Sequence, residues 1–284
     1  MYLKYYGFTK KPFNLVPDPE FLHFSNKHKL AYSLLEYGVY EQSGLTVITG
    51  EIGSGKTTLL RYLLKKISYQ SLVVGLIDNT HEAWGDLSTW IATAFNIKYE
   101  GQDKAKLYRD IQHYIIKQYA AGKRVLLIVD EAQNMSEATL EELRLLMNIN
   151  CGSDLLLQII LVGQPELLDT LVKPSLTQLA QRVSVEYHLE CLSVDETYEY
   201  ILHRIQAAGC SRQIFDQEAI NEIYNCTGGV PRLINVLCDN ALVYGYALSI
   251  EIITKNIIID LSKTRKIGMA NRINNSIDKV NIYP

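Results

Sequence analysis

The sequence predicts an α/β domain built on a parallel sheet with helices on both faces, followed by an all-helical region. The first observation behind this is a run of short apolar segments at 45–49, 72–77, 125–129, 157–162 and 183–189. Those at 72–77, 125–129 and 157–162 are almost continuously apolar rather than alternating, as expected of strands buried on both faces. The second is that amphipathic spacing fills the gaps between them, predicting helices at about 56–67, 84–95, 104–121 and 137–148. Strands alternating with helices make a parallel sheet. The third is that apolar runs of this kind stop after Leu189, leaving helical patterns alone.

Taken from the start, the chain opens with aromatics and prolines (Phe8, Pro12-Phe13, Pro17-Asp18-Pro19, Phe21). Each proline removes a donor and restricts its predecessor, so no long helix fits there. Leu30, Leu34, Leu35 and Val39 then carry a helical spacing over 27–40. After the last strand, Ser193-Val-Asp-Glu196 has the capping-box pattern and predicts a helix to about Ala208. Asp216 suits the cap of a second helix, and Pro231, behind Gly228-Gly-Val, suits the first turn of a third. These readings give an α/β domain over 1–191, a helical lid over 192–261 and a flexible, mildly basic tail over 262–284. No internal repeat is seen.

The chain has 284 residues, 48% of them hydrophobic and 21% charged, with a formal net charge of -3. That balance gives no global field favouring nucleic acid. No apolar run approaches the roughly 20 residues that span a bilayer, and Met1 to Gly7 lacks the features of a signal peptide. A cytoplasmic protein is expected. The five cysteines are odd in number and widely spaced, without a C-x-x-C pair, which favours reduced, buried thiols over a metal site or disulfides. The six histidines are scattered and read as packing or surface residues.

Chemistry is concentrated in two segments. Gly50-Glu51-Ile52-Gly53-Ser54-Gly55-Lys56-Thr57 matches G-x-x-x-x-G-K-[ST] and lies between a predicted strand and a predicted helix. Glycines there let successive backbone N–H groups converge on phosphate oxygens, and the helix start adds its positive end. Lys56 supplies charge to the β- and γ-phosphates of ATP, and Thr57 a hydroxyl to Mg²⁺. The nucleotide-binding stretch extends through Thr58. The second segment, Val125-Leu-Leu-Ile-Val-Asp-Glu131, is an apolar strand that delivers two carboxylates at its end. Asp130 is expected to hold Mg²⁺, through water, and Glu131 to take a proton from the attacking water. In isolation the same pattern reads as a strand reaching solvent.

Further candidates each have a plainer alternative. Gln164 follows the strand Ile159 to Gly163 and can reach the same water, or is a polar loop residue. Arg182 precedes the fifth strand and can meet a neighbouring subunit's ATP, or is a surface or ion-paired arginine. Arg232 lies at a helix start, where a cation is unfavourable; an anion there, nucleotide or local carboxylate, would compensate. Asn79, after the second strand, can restrain Glu131 or merely serve a turn.

With these residues in view, the chain resembles the ExeA/GspA-type secretion ATPases, a bacterial AAA+ family with MshM-like pilus-biogenesis members. The matching stretches are Tyr6-Gly-Phe-Thr-Lys-Lys-Pro-Phe-Asn-Leu-Val-Pro-Asp-Pro19, Thr49 to Thr58, Asp130-Glu-Ala-Gln133 and Leu143-Arg-Leu-Leu-Met-Asn148. Leu161-Val-Gly-Gln-Pro-Glu-Leu167, Gln181-Arg182 and Gly228-Gly-Val-Pro-Arg232 complete the series. The resemblance implies a five-stranded AAA+ P-loop NTPase with a helical lid, using ATP and Mg²⁺ and assembling as a nucleotide-dependent homo-oligomer, a ring. It implies that Gln164 is sensor 1, Arg182 a finger acting in trans and Arg232 sensor 2, and that the aromatic opening lies against the adenine. Secretion members carry a transmembrane helix and a peptidoglycan-binding domain after the ATPase. This sequence shows neither, so cell-wall engagement would need a partner.

The expected role is therefore assembly or remodelling of an envelope machine, a type II secretion system or type IV-like pilus. Its partner is a secretion or pilus subunit, with peripheral inner-membrane placement through that partner. One alternative is a DNA-associated ATPase of the transposition type, which the basic tail would favour. Another is a nucleotide switch that barely hydrolyses ATP, against which Glu131 argues.

Overall fold

The computed structural model describes residues 1–16, 21, 23–67, 71–78, 80, 85–99, 101, 103–151 and 154–264, and the account below concerns these. The chain separates into two compact units. An α/β unit comprises Asn26–Ile52 and Leu59–Leu189; a helical unit comprises Met1–Ser25, Gly53–Thr58 and the chain from Glu190 onward.

In chain order the α/β elements are α2 (Asn26–Tyr40), β1 (Leu45–Gly50), α3 (Lys56–Lys66, its first three residues grouped with the helical unit), β2 (Leu72–Ile77), α4 (Leu87–Ala94) and α5 (Lys104–Ala120), α1 belonging to the helical unit. Then come β3 (Arg124–Val129), α6 (Glu137–Leu146), β4 (Asn150–Cys151), β5 (Asp154–Leu155), β6 (Leu157–Gly163), α7 (Glu166–Leu171), α8 (Thr177–Ala180) and β7 (Val183–Leu189). Five strands form one sheet in the order β2-β3-β6-β1-β7. Every pairing is parallel. The five predicted apolar runs are these strands.

Alternation along each strand feeds both sides of the sheet. Val125, Leu127 and Val129 join Ile159, Leu161, Ile91, Ile111, Ile115, Leu140 and Leu143 in one buried cluster. Leu126 and Ile128, equally buried, point to the opposite face. Fully burying a side chain of this size contributes about 1.5–3 kcal/mol, which is why such runs read so clearly in sequence. Local signals agree with packing: Asp86, Asp103 and Ser136 cap α4, α5 and α6 through bonds to Thr89, Lys106 and Thr139 backbone N–H groups.

The helical unit contains α1 (Tyr2–Tyr6), α9 (Val194–Ala207), α10 (Gln217–Thr227), α11 (Pro231–Ala247) and α12 (Lys255–Thr264). The capping box at Ser193 and Glu196 is formed in both directions. Asp216 caps α10, and Pro231 occupies the first turn of α11.

The division differs from the expected one at its N-terminal end and at Gly53–Thr58, which also groups with the helical unit. Residues 1–25 group with the helices rather than with the sheet. The reason is the aromatic content: Tyr6, Phe8, Phe13 and Phe21 are core residues of the helical unit, packed with Ile201, Ile205 and Ile234. Arg204, buried on α9, clamps this segment by donating to the Pro12 carbonyl at 2.7 Å and the Asn14 carbonyl at 3.1 Å. Burial pushes the Tyr200 phenol up in pKa, although the neighbouring Arg204 pulls it down.

Other differences are local. The helix expected from 84 begins at Leu87, with 84 outside the described residues. The short helices α1, α7 and α8 and the antiparallel pair β4–β5 were not predicted. Helix α12 runs to Thr264, past the expected lid end at 261; the rest of the expected tail lies outside the described residues. Among the described residues no helix is long and apolar enough to cross a membrane.

Candidate functional site

In a parallel sheet all strands end at the same edge. β1, β3 and β6 are neighbours here, with β6 between the other two. Gly50, Asp130 and Gln164, at or just beyond their ends, therefore emerge along one edge of the α/β unit. Carboxyl ends of strands in such sheets are where ligands are bound.

The carboxylate at that edge is held by amides. Glu131 Oε2 accepts a hydrogen bond from Gln133 Nε2 at 2.7 Å and one from Gln164 Nε2 at 3.3 Å. Gln133 Oε1 in turn accepts from the Gln164 backbone N–H at 3.0 Å. The Glu131 backbone has φ 54° and ψ 36°, a left-handed conformation uncommon for a residue with a Cβ. It is fixed on both sides: Thr80 Oγ1 donates to its carbonyl at 2.9 Å, and its N–H donates to Asp130 Oδ1 at 3.0 Å. Asp130 is 6% exposed, whereas Glu131 is exposed and open to water. One carboxylate is thus a sheltered acceptor and the other a solvent-facing carboxylate oriented by two amides.

Within the helical unit, the glycine-rich turn has the form its residue types demand. Gly53 and Gly55 have φ of 81° and 107°, conformations that glycine adopts readily and residues with a Cβ do not. Lys56 is the first residue of α3, whose first turn carries no acidic side chain. Arg232, exposed on the first turn of α11, lies against this turn: its N–H donates to the Gly53 carbonyl at 3.2 Å. A Cβ on Gly53 would fall 2.5 Å from Arg232 Cβ. The first turn of α11 carries no acidic residue either. With Lys56 and Arg232 beside it and no acidic residue in either first turn, this turn suits a phosphate by charge.

The sequence-derived residues therefore divide. Glu51 and Ile52 form the turn after Gly50, Ser54 is buried within the loop, and Thr57 and Thr58 follow Lys56 on α3, partly exposed. Glu131 and Gln164 are in contact. Arg182 is apart from them, preceding β7 at the sheet's margin and at the strands' amino ends. A strand of this length spans roughly 20 Å. Its guanidinium donates to the Asn148 side-chain carbonyl, a neutral partner rather than an ion pair. Asn79 lies outside the described residues. Gln133, Thr80 and Asn148 received no role from sequence. The first was visible only as part of Asp-Glu-Ala-Gln, and its bonding depends on how β3 and β6 pair.

Comparison with known proteins follows the same lines. Residues 39–171 match a protein family described as AAA domain. General secretion pathway protein A of Aeromonas hydrophila is 39% identical over 248 residues, covering 87% of this chain and 45% of that protein. An uncharacterized HTH-type transcriptional regulator of Methanocaldococcus jannaschii is 22% identical, covering 61% of this chain and 43% of its own length. The chain thus spans less than half the length of the curated relatives it matches. Among solved structures, the ORC2 protein of Aeropyrum pernix superposes with TM-score 0.66 at 15% identity, covering 89% of this chain and 71% of that one. A Thermotoga maritima RuvB variant gives 0.53 at 15% identity, covering 84% and 67%. At such identity these two establish the fold alone. The chain is a P-loop protein of the AAA+ class, related over most of its length to general secretion pathway protein A.

Proposed function

We propose that the protein is a Mg²⁺-dependent ATPase. The observation that carries this reading is the Glu131 carboxylate, exposed to water yet oriented by Gln164. ATP phosphates bind the turn from Gly50 to Thr58, with Lys56 facing the β- and γ-phosphates. Thr57 and Asp130 are the residues assigned to Mg²⁺, which would neutralise charge on the phosphate oxygens. Glu131 takes a proton from the attacking water, and the Gln164 amide positions that water. Arg232, seated against Gly53, senses the γ-phosphate. Arg182, far from its own carboxylate edge, serves the site of a second subunit in a ring.

The biological reading rests on the relationship to general secretion pathway protein A. We assign the protein to assembly or remodelling of an envelope machine, a secretion system or pilus, reached at the inner membrane through a partner subunit. Lys56→Ala should cost most of the nucleotide affinity, measured by titration of a fluorescent ATP analogue. Placed in the native gene, the same substitution should abolish secretion or piliation; normal function of both in that strain contradicts the envelope role. Tight, ATP-dependent binding to duplex DNA that survives removal of residues 265–284 would replace this role with a DNA-associated one.

A further inference from the structure

Gln133 makes bonds of opposite polarity with its two amide atoms. The backbone N–H of Gln164 can only donate, so the group facing it must be Oε1. That leaves Nε2 facing the Glu131 carboxylate, as observed at 2.7 Å. The amide orientation is thus dictated by its neighbours. The bridge also depends on Gly163: a Cβ there would lie 3.1 Å from Gln133 Oε1 and 2.9 Å from Leu167 Cδ2. Gln133 sits on a single helical turn, Ala132–Asn134, which begins at the left-handed Glu131. Base, turn and the end of β6 are therefore one hydrogen-bonded assembly.

We propose that Gln133 is a positioning residue for hydrolysis, tying the Glu131 carboxylate to the main chain of Gln164. It does not touch the reacting atoms. Its amide restricts the carboxylate to one orientation and makes that orientation follow any movement of the residue after β6. This rests on the reading of Glu131 as the base. A misplaced general base costs roughly tenfold or more in rate, without a matching change in substrate binding.

Two variants separate positioning from mere support of the turn. Gln133→Met keeps volume and removes both bonds. Gln133→Glu keeps an acceptor for the Gln164 N–H and places a second carboxylate against Glu131. If Gln133 only braces the turn, Gln133→Glu should outperform Gln133→Met. Under the positioning role, both lose kcat by about tenfold or more, keep KM and ATP-analogue affinity within about twofold, and Gln133→Glu is no better than Gln133→Met. A kcat for Gln133→Met within about twofold of the parent, or recovery in Gln133→Glu, overturns the proposal. Glu131→Gln is assayed alongside. If that variant turns over normally, the base assignment itself has failed, and the positioning role falls with it. If Glu131→Gln is inactive while Gln133→Met is normal, only the positioning role is lost.

Discussion

Arg232 donates its backbone N–H to the carbonyl of Gly53 at 3.2 Å, so the start of α11 is bonded to the turn proposed to hold phosphate. The Gly53 φ of 81° and the absence of a Cβ are both needed for that approach. Gly53→Ala should therefore disturb the binding turn, at some cost in stability, while leaving the fold formed. A left-handed alanine costs about 1–2 kcal/mol, before displacement of Arg232 is counted. Nucleotide affinity should fall roughly tenfold or more, with little change in the circular dichroism spectrum. Unchanged affinity in an equilibrium titration contradicts this coupling.

Arg204 offers a test within the helical unit. It bonds the Pro12 and Asn14 carbonyls and the Tyr200 hydroxyl, which itself donates to Asn235 at 2.9 Å. Arg204→Met preserves bulk but strands a buried carbonyl, at a cost of about 2–4 kcal/mol. The urea midpoint should drop with an unchanged slope, and residues 1–16 should become sensitive to protease. A loss below about 0.5 kcal/mol would place this site among ordinary surface substitutions.

The parts legible in sequence were those with local causes. Apolar runs such as Val125 to Val129 announced buried strands, and Ser193 with Glu196 announced a helix start that formed as read. Long-range causes were not legible. Helix α1 is too short for intrinsic propensity to sustain; it is held by Tyr2 bonding Asp239 and by Tyr6 donating to the Ile250 carbonyl at 2.9 Å. The place of residues 1–25 among the helices depended on where Phe8 and Phe13 could be buried. At the candidate site, Glu131 and Gln164 were separately visible, but their contact follows from β3 pairing with β6. Gln133 owes its role to the same pairing and to the space left by Gly163.

Arg182 tests assembly. It precedes β7, the marginal strand of the sheet, and donates to Asn148 rather than to a carboxylate. Arg182→Ala should bind ATP normally and hydrolyse it poorly, since a finger supplied by a neighbour is worth roughly 10³ to 10⁵ in rate. Specific activity of the unaltered protein should rise with concentration. Mixing Arg182→Ala with Lys56→Ala should restore part of the turnover, because an intact phosphate turn in one subunit can meet an intact arginine from another. An inactive mixture that co-assembles by gel filtration contradicts the shared site.

The central claim is that Glu131, oriented by Gln164 and open to water, is the base that drives ATP hydrolysis. Its most direct measurement compares the parent with Glu131→Gln, with ATP binding and single-turnover phosphate release followed on the same samples. Glutamine keeps the side-chain length and loses the proton acceptor. The account predicts retained ATP affinity with phosphate release slowed roughly 10²-fold or more. Equal release rates in the two proteins would contradict it.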